Sequence, residues 1–549
     1  MGNYRLVMYD VRGIQDYIYR TNKVKEIIGA SEQVEKLLQD GFLNAIQKES
    51  QKEKFIIKWY EGNGESPIKE LRISKDDSIQ MEVLFIGGGN GYVLFRDDAV
   101  MHRINRRMSK FIMEETYSLR LAIASIETEL QDYLEDYKKL QNRMAYVKAN
   151  MTDAHPMCGG PVIETDAMTG FPYSVKRDGE LFTTEASKKR AKVDELLQSD
   201  WRTARVEQLD RIFDNMVTDK GSDSILSIVH IDGNNLGGRI KSIIESEAKD
   251  SYEKSVFCVR TLSLNIRNKF SDAFIKTKEK LEEWVKSDKC CFNNKQYQDG
   301  SFKAYMRKII VAGDDITFVC NGKVALSIVE YFLKCISKEV MYGDKNKAED
   351  MEKYGLSACA GIAYINSHFA FREGYKMAEE CCESAKKRAK LDECVGWTGE
   401  NNTGMKIIGN YIDFHICKHI DIADIEAQRD GERIPDGTVL YKRPYFVPYG
   451  SESGKFTEID SKNSCFSIED YKKRLAYFCD NEKIPRSFSK QLRSAYVLGK
   501  HSVDEYLTFL KSRSKDLKEI LSEDSYDNQV AAWYDALDLM DLYIDIQEV

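Results

Sequence analysis

Two acidic stretches constrain this chain more than any other feature of its sequence. An apolar, β-branched run over 224–231 leads into Asp232, and such a run is typical of a central strand covered on both faces. Further along, two short apolar runs flank an Ala-Gly-Asp-Asp turn in which Gly313 supplies the positive φ of a two-residue hairpin. We expect these strands to lie side by side, so that Asp232, Asp314 and Asp315 converge.

The three carboxylates suit a pair of divalent cations. Mg²⁺ prefers hard oxygen ligands, usually a few carboxylates together with substrate phosphates and water. Adjacent carboxylates that hold two metal ions are a recurring feature of nucleotide chemistry. Taken alone, an Asp-rich turn is more often a solvated hairpin tip. The hypothesis of a two-metal nucleotide site therefore depends on Asp232 as well as on Asp314 and Asp315.

The order of predicted elements is the same in two parts of the chain. After the acidic hairpin, residues 354–364 predict a buried strand and residues 373–387 a helix, which completes the ferredoxin-like order strand, helix, hairpin, helix, strand. The N-terminal part predicts strands at 4–10, up to Gly87, at 92–95 and at 119–126, with helices from Ile14 through Leu38 and near 98–115. The fold class expected is α+β, with two ferredoxin-like domains.

These motifs resemble a known family. The Asp-ended strand, the Ala-Gly-Asp-Asp hairpin, the Ser-Ala-Cys-Ala-Gly strand and the spacing from Ala378 to Lys386 resemble the GGDEF-like palm of nucleotidyl cyclases. Three N-terminal motifs are similar to the first palm of the large polymerase/cyclase subunit of type III CRISPR effector complexes: Gly13-Ile-Gln-Asp-Tyr-Ile-Tyr19, Lys23-Val-Lys-Glu-Ile-Ile-Gly-Ala-Ser31 and Ile86-Gly-Gly-Gly-Asn-Gly91. The matching stretches cover most of residues 1–150 and 223–400.

The resemblance implies a specific chemistry and a set of residue roles. Two palms would hold two ATP molecules, and the second palm would join them into cyclic oligoadenylates with two Mg²⁺ or Mn²⁺ ions as cofactors. Asp314 and Asp315 would be the metal-binding pair, and Asp232 the third ligand, with the carbonyl of Gly233 also reaching a metal. The nucleotide-binding residues implied are Gly88, Gly89 and Asn90 in the first palm, and Gly233, Asn235, Gly313 and the triphosphate-binding Lys386 in the second.

The chain departs from the family pattern at several positions. Ala312 replaces the first glycine of the usual Gly-Gly-Asp-Asp motif, and Asn234 replaces a second acid after Asp232. The histidines are scattered and form no His-Asp nuclease motif, so we expect no HD nuclease domain. Of the paired Cys-x-x-Cys motifs that usually bind zinc between the palms, only His155-Pro-Met-Cys158 remains, and we expect no metal there.

A chain of 549 residues exceeds what one core normally supports. The domains expected are a first palm at 1–150, an interpalm insert at 151–222 that is loop-rich and then helical from Thr184, a catalytic second palm at 223–410, a polar connecting segment at 411–465 and a C-terminal helical domain at 466–549. Residues 276–303 are interpreted as a surface insertion. The resemblance implies that the last domain packs against a small helical CRISPR subunit; a self-contained bundle is equally compatible with the sequence.

Composition narrows the possible partners. The formal net charge of −8 argues against a broad basic surface along a nucleic-acid backbone. The basic runs 188–192 and 386–390 are interpreted as solvated helix faces, with the exception of Lys386.

The 13 cysteines are interpreted as buried, reduced thiols of a cytoplasmic protein. With no apolar stretch long enough to span a bilayer, no membrane association is expected. Ser31 is interpreted as a helix N-cap.

Three functions remain open at this point. The first is a metal-dependent nucleotidyltransferase that makes cyclic oligonucleotide second messengers in antiviral defence. The alternative is a catalytically inactive palm scaffold that binds nucleotide or guide RNA. A dimeric cyclic-di-GMP synthase is a weaker possibility, because that class has one palm per chain, whereas two are predicted here.

Overall fold

A computed structural model describes residues 4–49, 53–62, 66–152, 160, 162–177, 179–199, 216, 224–287, 289–290, 306–399, 404–418, 424–431, 434, 437, 439–450, 455–479, 484–513, 526–527, 530–531 and 533–547. The chain forms two compact units. The first unit comprises residues 1–212, 235–271 and 309–316, and the second comprises residues 213–234, 272–308 and 317–549.

The first unit is built on a five-stranded sheet in the order β2-β5-β6-β1-β7, in which β1 is antiparallel to both of its neighbours. Its elements are β1 Tyr4–Arg12, α1 Ile14–Tyr19, α2 Val24–Ile46, β2 Lys54–Ile56, β3 Tyr60–Glu61, β4 Ser66–Pro67, β5 Ile79–Gly87, β6 Asn90–Phe95, α3 Asp98–Thr116, β7 Arg120–Thr128, α4 Tyr133–Ala149, β8 Tyr173–Arg177, β9 Glu180–Thr183, α5 Thr184–Ser199 and α6 Leu236–Glu247.

Local chemistry explains where several of these elements begin. The carboxylates of Asp97 and Asp132 accept hydrogen bonds from the first free amides of α3 and α4, which is the usual role of an aspartate N-cap. Gly88 and Gly89 have φ values of 58° and 76°, as the two central residues of a tight hairpin require. The predicted strands and helices of residues 4–126 are confirmed.

The second unit contains a six-stranded sheet in the order β11-β12-β10-β13-β16-β17. Its strands are β10 Ile225–Gly233, β11 Met306–Ala312, β12 Asp315–Asn321, β13 Ala358–Asn366, β14 Gly396–Trp397, β15 Lys406–Ile407, β16 Asn410–Ile416, β17 Tyr445–Val447, β18 Tyr526–Asp527 and β19 Val530–Ala531. Residues 309–316, in the hairpin of β11 and β12, group with the first unit. β10 and β13 are buried over most of their length, as their apolar sequences predict.

The remaining helices are α7 Tyr252–Lys286, which begins in the first unit and ends in the second, α8 Ala325–Ile336, α9 Ala348–Tyr354, α10 Phe371–Ala389, α11 Ile425–Gly431, α12 Lys455–Lys462, α13 Ile468–Cys479, α14 Arg486–Leu498, α15 Lys500–Arg513 and α16 Tyr534–Leu539. Among the described residues after 466, most lie in helices α13 to α16, and β18 and β19 form a short hairpin. Within the part of the chain that the structure describes, no helix is both long and apolar enough to cross a bilayer.

Four details differ from the sequence interpretation. Tyr354 ends α9, and the strand expected from 354 begins only at Ala358. The sheet does not stop near residue 410, because β16 starts there and pairs in parallel with β13, and β17 then pairs with β16. The helix starting at Thr184 was expected, but the preceding hairpin of β8 and β9 was not. The expected surface insertion at 276–303 is wrong for 276–286, the end of α7; residues 291–305 lie outside the described residues.

Buried polar groups account for two further corrections. Ser31 is not an N-cap: it lies inside α2, and its hydroxyl donates to the carbonyl of Ile309. Lys189 in the basic run 188–192 is not solvated, since its ammonium is buried against Glu185 and the carbonyl of Tyr17. In both cases a tertiary partner, which the local sequence does not reveal, satisfies the polar group.

A buried ionic network connects the C-terminal helices to the sheet of the second unit. The carboxylate of Asp535 accepts hydrogen bonds from the Arg443 guanidinium, two backbone amides and the Tyr445 hydroxyl. Asp413 on β16 binds Arg429 through two hydrogen bonds. Because each buried charge is paired and hydrogen-bonded, the network is compatible with its place in the interior. Trp533 and Tyr534, which precede Asp535 in the chain, are buried core residues.

Candidate functional site

The exit of β10 places Asp232 at a sharp transition from strand to helix. Asp232 is the penultimate residue of β10, and Gly233, which ends the strand, is buried. Asn235 then adopts a left-handed conformation with φ 50° and stands as the N-cap residue of α6. Asn234 between them is buried, and its amide nitrogen donates to the carbonyl of Gly409 at 3.0 Å. Asn234 therefore has a structural role instead of that of a second acid.

Lys386 forms an ion pair with Asp232 in the second unit. The lysine lies in the last turn of α10, and its ammonium contacts the Asp232 carboxylate. The side chains are 20% and 35% exposed, so the pair is open to solvent on one side. Burial acts to lower the pKa of Lys386, but the charge of Asp232 and the hydrogen bond to it raise the pKa above its ordinary value. Lys386 is thus a charged ammonium held at the end of β10.

β12 is the hydrogen-bonded neighbour of β10. The two strands share a side-chain contact, in which His230 Nδ1 lies 3.1 Å from Thr317 Oγ1. Burial lowers the pKa of His230 to about 4, so this imidazole is neutral at pH 7. His230 stands two residues before Asp232, and Thr317 stands two residues after Asp315.

The acidic hairpin has the predicted form. Ala312 ends β11, Gly313 and Asp314 form the turn, and Asp315 begins β12. Gly313 has a φ of 73°, and a methyl group placed on it would meet no atom within 4 Å. Open space therefore borders the turn. Among the residues that the structure describes, however, no group of three or more His, Cys, Asp or Glu side chains is arranged to hold a metal ion.

The first unit contains a second acid-lysine pair of the same kind. Asp10 lies near the end of β1 and is paired across the sheet with Asn90, the first residue of β6. Its carboxylate accepts a hydrogen bond of 2.5 Å from Lys148, in the last turn of α4. Gly88 and Gly89 form the adjoining turn, and the Asn90 amide donates to the carbonyl of Gly88 at 3.3 Å.

The two acid-lysine pairs occupy equivalent places in their sheets. In each case the acid stands four residues before a helix, and the residue before that helix has a positive φ. The lysine lies in the last turn of the helix that follows β7 in the first sheet and β13 in the second. Sequence reasoning identified Lys386 but missed Lys148 and Asp10. An alignment of β1 with β10 and of α4 with α10 within the chain would have revealed the second pair.

Close packing of α10 on β13 fixes the base of Lys386. A methyl group added at Gly361 would lie 1.9 Å from the carbonyl oxygen of Ala378 and 2.4 Å from the amide nitrogen of Cys382. We expect Gly361→Ala to lower the free energy of unfolding by about 1–3 kcal/mol, because backbone must move apart to admit the methyl. Chemical denaturation monitored by circular dichroism measures this change.

Gly237→Ala is the matched control for Gly361→Ala. Gly237 lies in α6 with nothing within 4 Å of the added methyl. Gly237→Ala should raise the free energy of unfolding by up to about 1 kcal/mol, because alanine has a higher helix propensity than glycine. Equal effects of the two substitutions would show that α10 and β13 admit a methyl group at Gly361 without moving apart.

The sequence matches no protein-family profile and no curated protein. Among solved structures, the crystal structure of a Csm1-Csm4 cassette in complex with cA4 matches with a TM-score of 0.50 and 13% identity, covering 99% of this chain and 70% of that chain. The chain is similar in fold to the Csm1-Csm4 cassette. The apo cassette matches with a TM-score of 0.48 and 12% identity over 99% of this chain and 70% of that chain. The cassette in complex with AMPPNP matches with a TM-score of 0.46 and 13% identity over 98% and 70%.

At 13% identity the likeness concerns the fold. The resemblance to the large subunit of type III CRISPR complexes, and the α+β class, are confirmed at that level. The roles of individual residues stay predictions.

Proposed function

We propose that this chain is a metal-dependent nucleotidyltransferase that joins nucleoside triphosphates, ATP first among them, into cyclic oligonucleotides as the large subunit of a type III CRISPR effector complex. One observation carries the proposal. β10, which ends in Asp232-Gly233, and β12, which begins at Asp315, are hydrogen-bonded neighbours, which supports the predicted convergence of the three carboxylates. The likeness of the fold to a cassette crystallised with cA4 agrees with this activity.

The strand order supports the presence of two palms. Four strands of the first sheet follow the order β5-β6-β1-β7, and four of the second follow β11-β12-β10-β13. Both are the order of a split βαβ arrangement, in which the first strand lies between the third and the fourth. The first palm has Asn90 where the second has Asp315, so the first is proposed to bind nucleotide and the second to catalyse.

Asp232, Asp314, Asp315 and the carbonyl of Gly233 would hold two Mg²⁺ or Mn²⁺ ions. Hard carboxylate oxygens are the donors that such ions prefer, and the ion pair of Asp232 with the Lys386 ammonium agrees with a carboxylate that takes a positively charged partner. When bound, the ions neutralise phosphate charge and lower the pKa of the attacking 3′-hydroxyl.

The residues of this chain then position the reactants. Lys386 is proposed to bind the triphosphate through its charged ammonium, and Gly313 leaves room for the substrate beside the acidic turn. Gly88, Gly89 and Asn90 are proposed to contact the second nucleotide, and Asn235 to hold the backbone at the exit of β10. Holding a 3′-hydroxyl in line with an α-phosphate contributes much of the rate enhancement in such reactions.

The experiment that tests the proposal incubates the purified protein with each nucleoside triphosphate in turn and with all four together. Each reaction contains Mg²⁺ or Mn²⁺, and the products are identified by mass spectrometry. We expect cyclic adenylates and pyrophosphate, and no product when EDTA is present. A mixture that stays unchanged under every condition, with the protein folded and its partner subunits and target RNA supplied, would reject the enzyme.

The alternative, an inactive scaffold that binds nucleotide or guide RNA, is favoured by one observation. Asp232 is engaged by Lys386, and no three-acid cluster is found in the described part of the chain. A scaffold would bind ATP without forming any product in the same experiment. Binding to a small helical CRISPR subunit, binding to guide RNA and a cytoplasmic location stay predictions. The cysteines that the structure describes are free thiols.

A further inference from the structure

The ion pair between Lys386 and Asp232 occupies a carboxylate that the proposed function assigns to a divalent cation. The Asp232 carboxylate cannot keep its close ion pair with the ammonium while it coordinates a divalent cation, because the two positive charges repel each other at short range. The pair is partly exposed, so it is in contact with solvent. Lys386 is also the residue proposed to bind the triphosphate.

We propose that Lys386 is a resting-state placeholder for the divalent cation at Asp232, so that the cation binds well only together with the polyphosphate of a nucleotide. This inference rests on the proposed function. The phosphates attract the ammonium away from Asp232 at the moment when the cation takes its place. After the exchange, Asp232 is paired with the cation and the phosphates with the Lys386 ammonium, so neither negative group lacks a positive partner.

The geometry of α10 makes this exchange a movement of one side chain. The helix is held on β13 by the close approach of Gly361 to the backbone of Ala378 and Cys382, so the base of Lys386 stays in place. Its flexible four-carbon stem lets the ammonium change partner without a movement of the helix. The coupling between cation and nucleotide follows from the competition at Asp232 and needs no second conformation of the fold.

The first unit offers a matched control. Lys148 forms the equivalent pair with Asp10, and its side chain is 35% exposed. The residue across from Asp10 is the neutral Asn90, so this place has fewer carboxylates for a divalent cation to bind. Lys148 should therefore remain paired with Asp10 whether or not a cation is present.

The test is a titration with Mn²⁺, in which free Mn²⁺ is measured by electron paramagnetic resonance. It compares the unmodified protein with Lys386→Met, Asp232→Asn and Lys148→Met, each with and without an ATP analogue that has a methylene bridge between the α- and β-phosphates. Without nucleotide, Lys386→Met should bind Mn²⁺ about tenfold more tightly than the unmodified protein, equivalent to about 1.4 kcal/mol. Asp232→Asn should bind weakly, and Lys148→Met should match the unmodified protein.

The analogue should raise the Mn²⁺ affinity of the unmodified protein more than that of Lys386→Met, and Mn²⁺ should strengthen analogue binding by the same factor. An affinity of Lys386→Met no higher than that of the unmodified protein, in a variant shown by circular dichroism to be folded, would overturn the placeholder. Lys386→Gln is the second variant if Lys386→Met does not fold, and the same result is required of it.

The titration involves no turnover, so its outcome is separate from that of the product assay. Tighter Mn²⁺ binding by Lys386→Met without any cyclic product would support the placeholder and reject the synthase. Cyclic product together with an unchanged Mn²⁺ affinity of Lys386→Met would support the synthase and overturn the placeholder.

Discussion

Replacing Asp314 and Asp315 together by asparagine should reduce the formation of cyclic product by at least about a thousandfold, since metal-held charge supplies several kcal/mol of transition-state stabilisation. The substitution keeps the size and shape of both side chains but removes the two negative charges of the turn. Gly313 retains its positive φ in this variant, so the hairpin should still form. The measurement is the initial rate of product formation, followed by chromatography and mass spectrometry at saturating ATP.

The chain contains a matched control in the first unit. Asp76 and Asp77 are also adjacent aspartates in a surface turn, where they pair with Lys54 and Arg96. Asp76→Asn with Asp77→Asn makes the same change of net charge away from the proposed site, and the rate should stay within about twofold, as expected for surface changes. Equal product from the Asp314→Asn, Asp315→Asn variant and the unmodified protein would remove the assigned site.

Replacing Glu82 by alanine should lower the free energy of unfolding of the first unit by about 3–5 kcal/mol, because it leaves a buried guanidinium without its counter-charge. Glu82 and Arg260 are each 1% exposed, and their charged groups are 3.0 Å apart. Arg260 reaches into the unit from α7 and also donates to the backbone carbonyls of Ile68, Leu84 and others. Glu82 in turn accepts from the amide of Ile73. Urea denaturation followed by tryptophan fluorescence measures the change.

The exposed pair of Arg5 and Asp98 is the comparison for Glu82→Ala. Asp98 is 52% exposed, and Asp98→Ala should cost no more than about 1 kcal/mol. Glu82→Gln should lose less stability than Glu82→Ala, because the amide still accepts hydrogen bonds from the guanidinium and the Ile73 amide. Comparable losses for Glu82→Ala and Asp98→Ala would show that the buried pair does not hold α7 to the sheet.

Patterns that repeat over a few residues were enough to predict the four palm-like strands of each sheet and the two hairpins that contain Gly88–Gly89 and Gly313. The apolar run before Asp232 predicts a buried strand from its local pattern alone. Gly313 and the glycines at 88–89 adopt the positive φ values that these turns require and that other residues rarely adopt. The order of these elements along the chain then restricts the sheet to few topologies. The same logic did not place β17 in the sheet, because a strand of three residues within a polar, turn-rich segment leaves little local signal.

Polar residues were the least predictable. Ser31 and Lys189 looked like surface or capping groups because serine and lysine usually are, yet both are buried against partners far away in the sequence. Arg260 and Glu82 lie far apart in the chain, and nothing in either neighbourhood indicates that they meet. Such pairs depend on where two elements come together, a property of the whole fold.

By itself, the sequence determined the α+β class and most strands and helices of the two sheets, and it singled out three candidate acidic residues, because hydrophobic period and turn chemistry act locally. Only the tertiary structure decided that Lys386 pairs with Asp232, that Lys148 and Asp10 repeat this pair in the first unit, and that α7 is fastened by a buried ion pair. Ion pairs between distant residues depend on distance and burial, and these quantities exist only once the chain has folded.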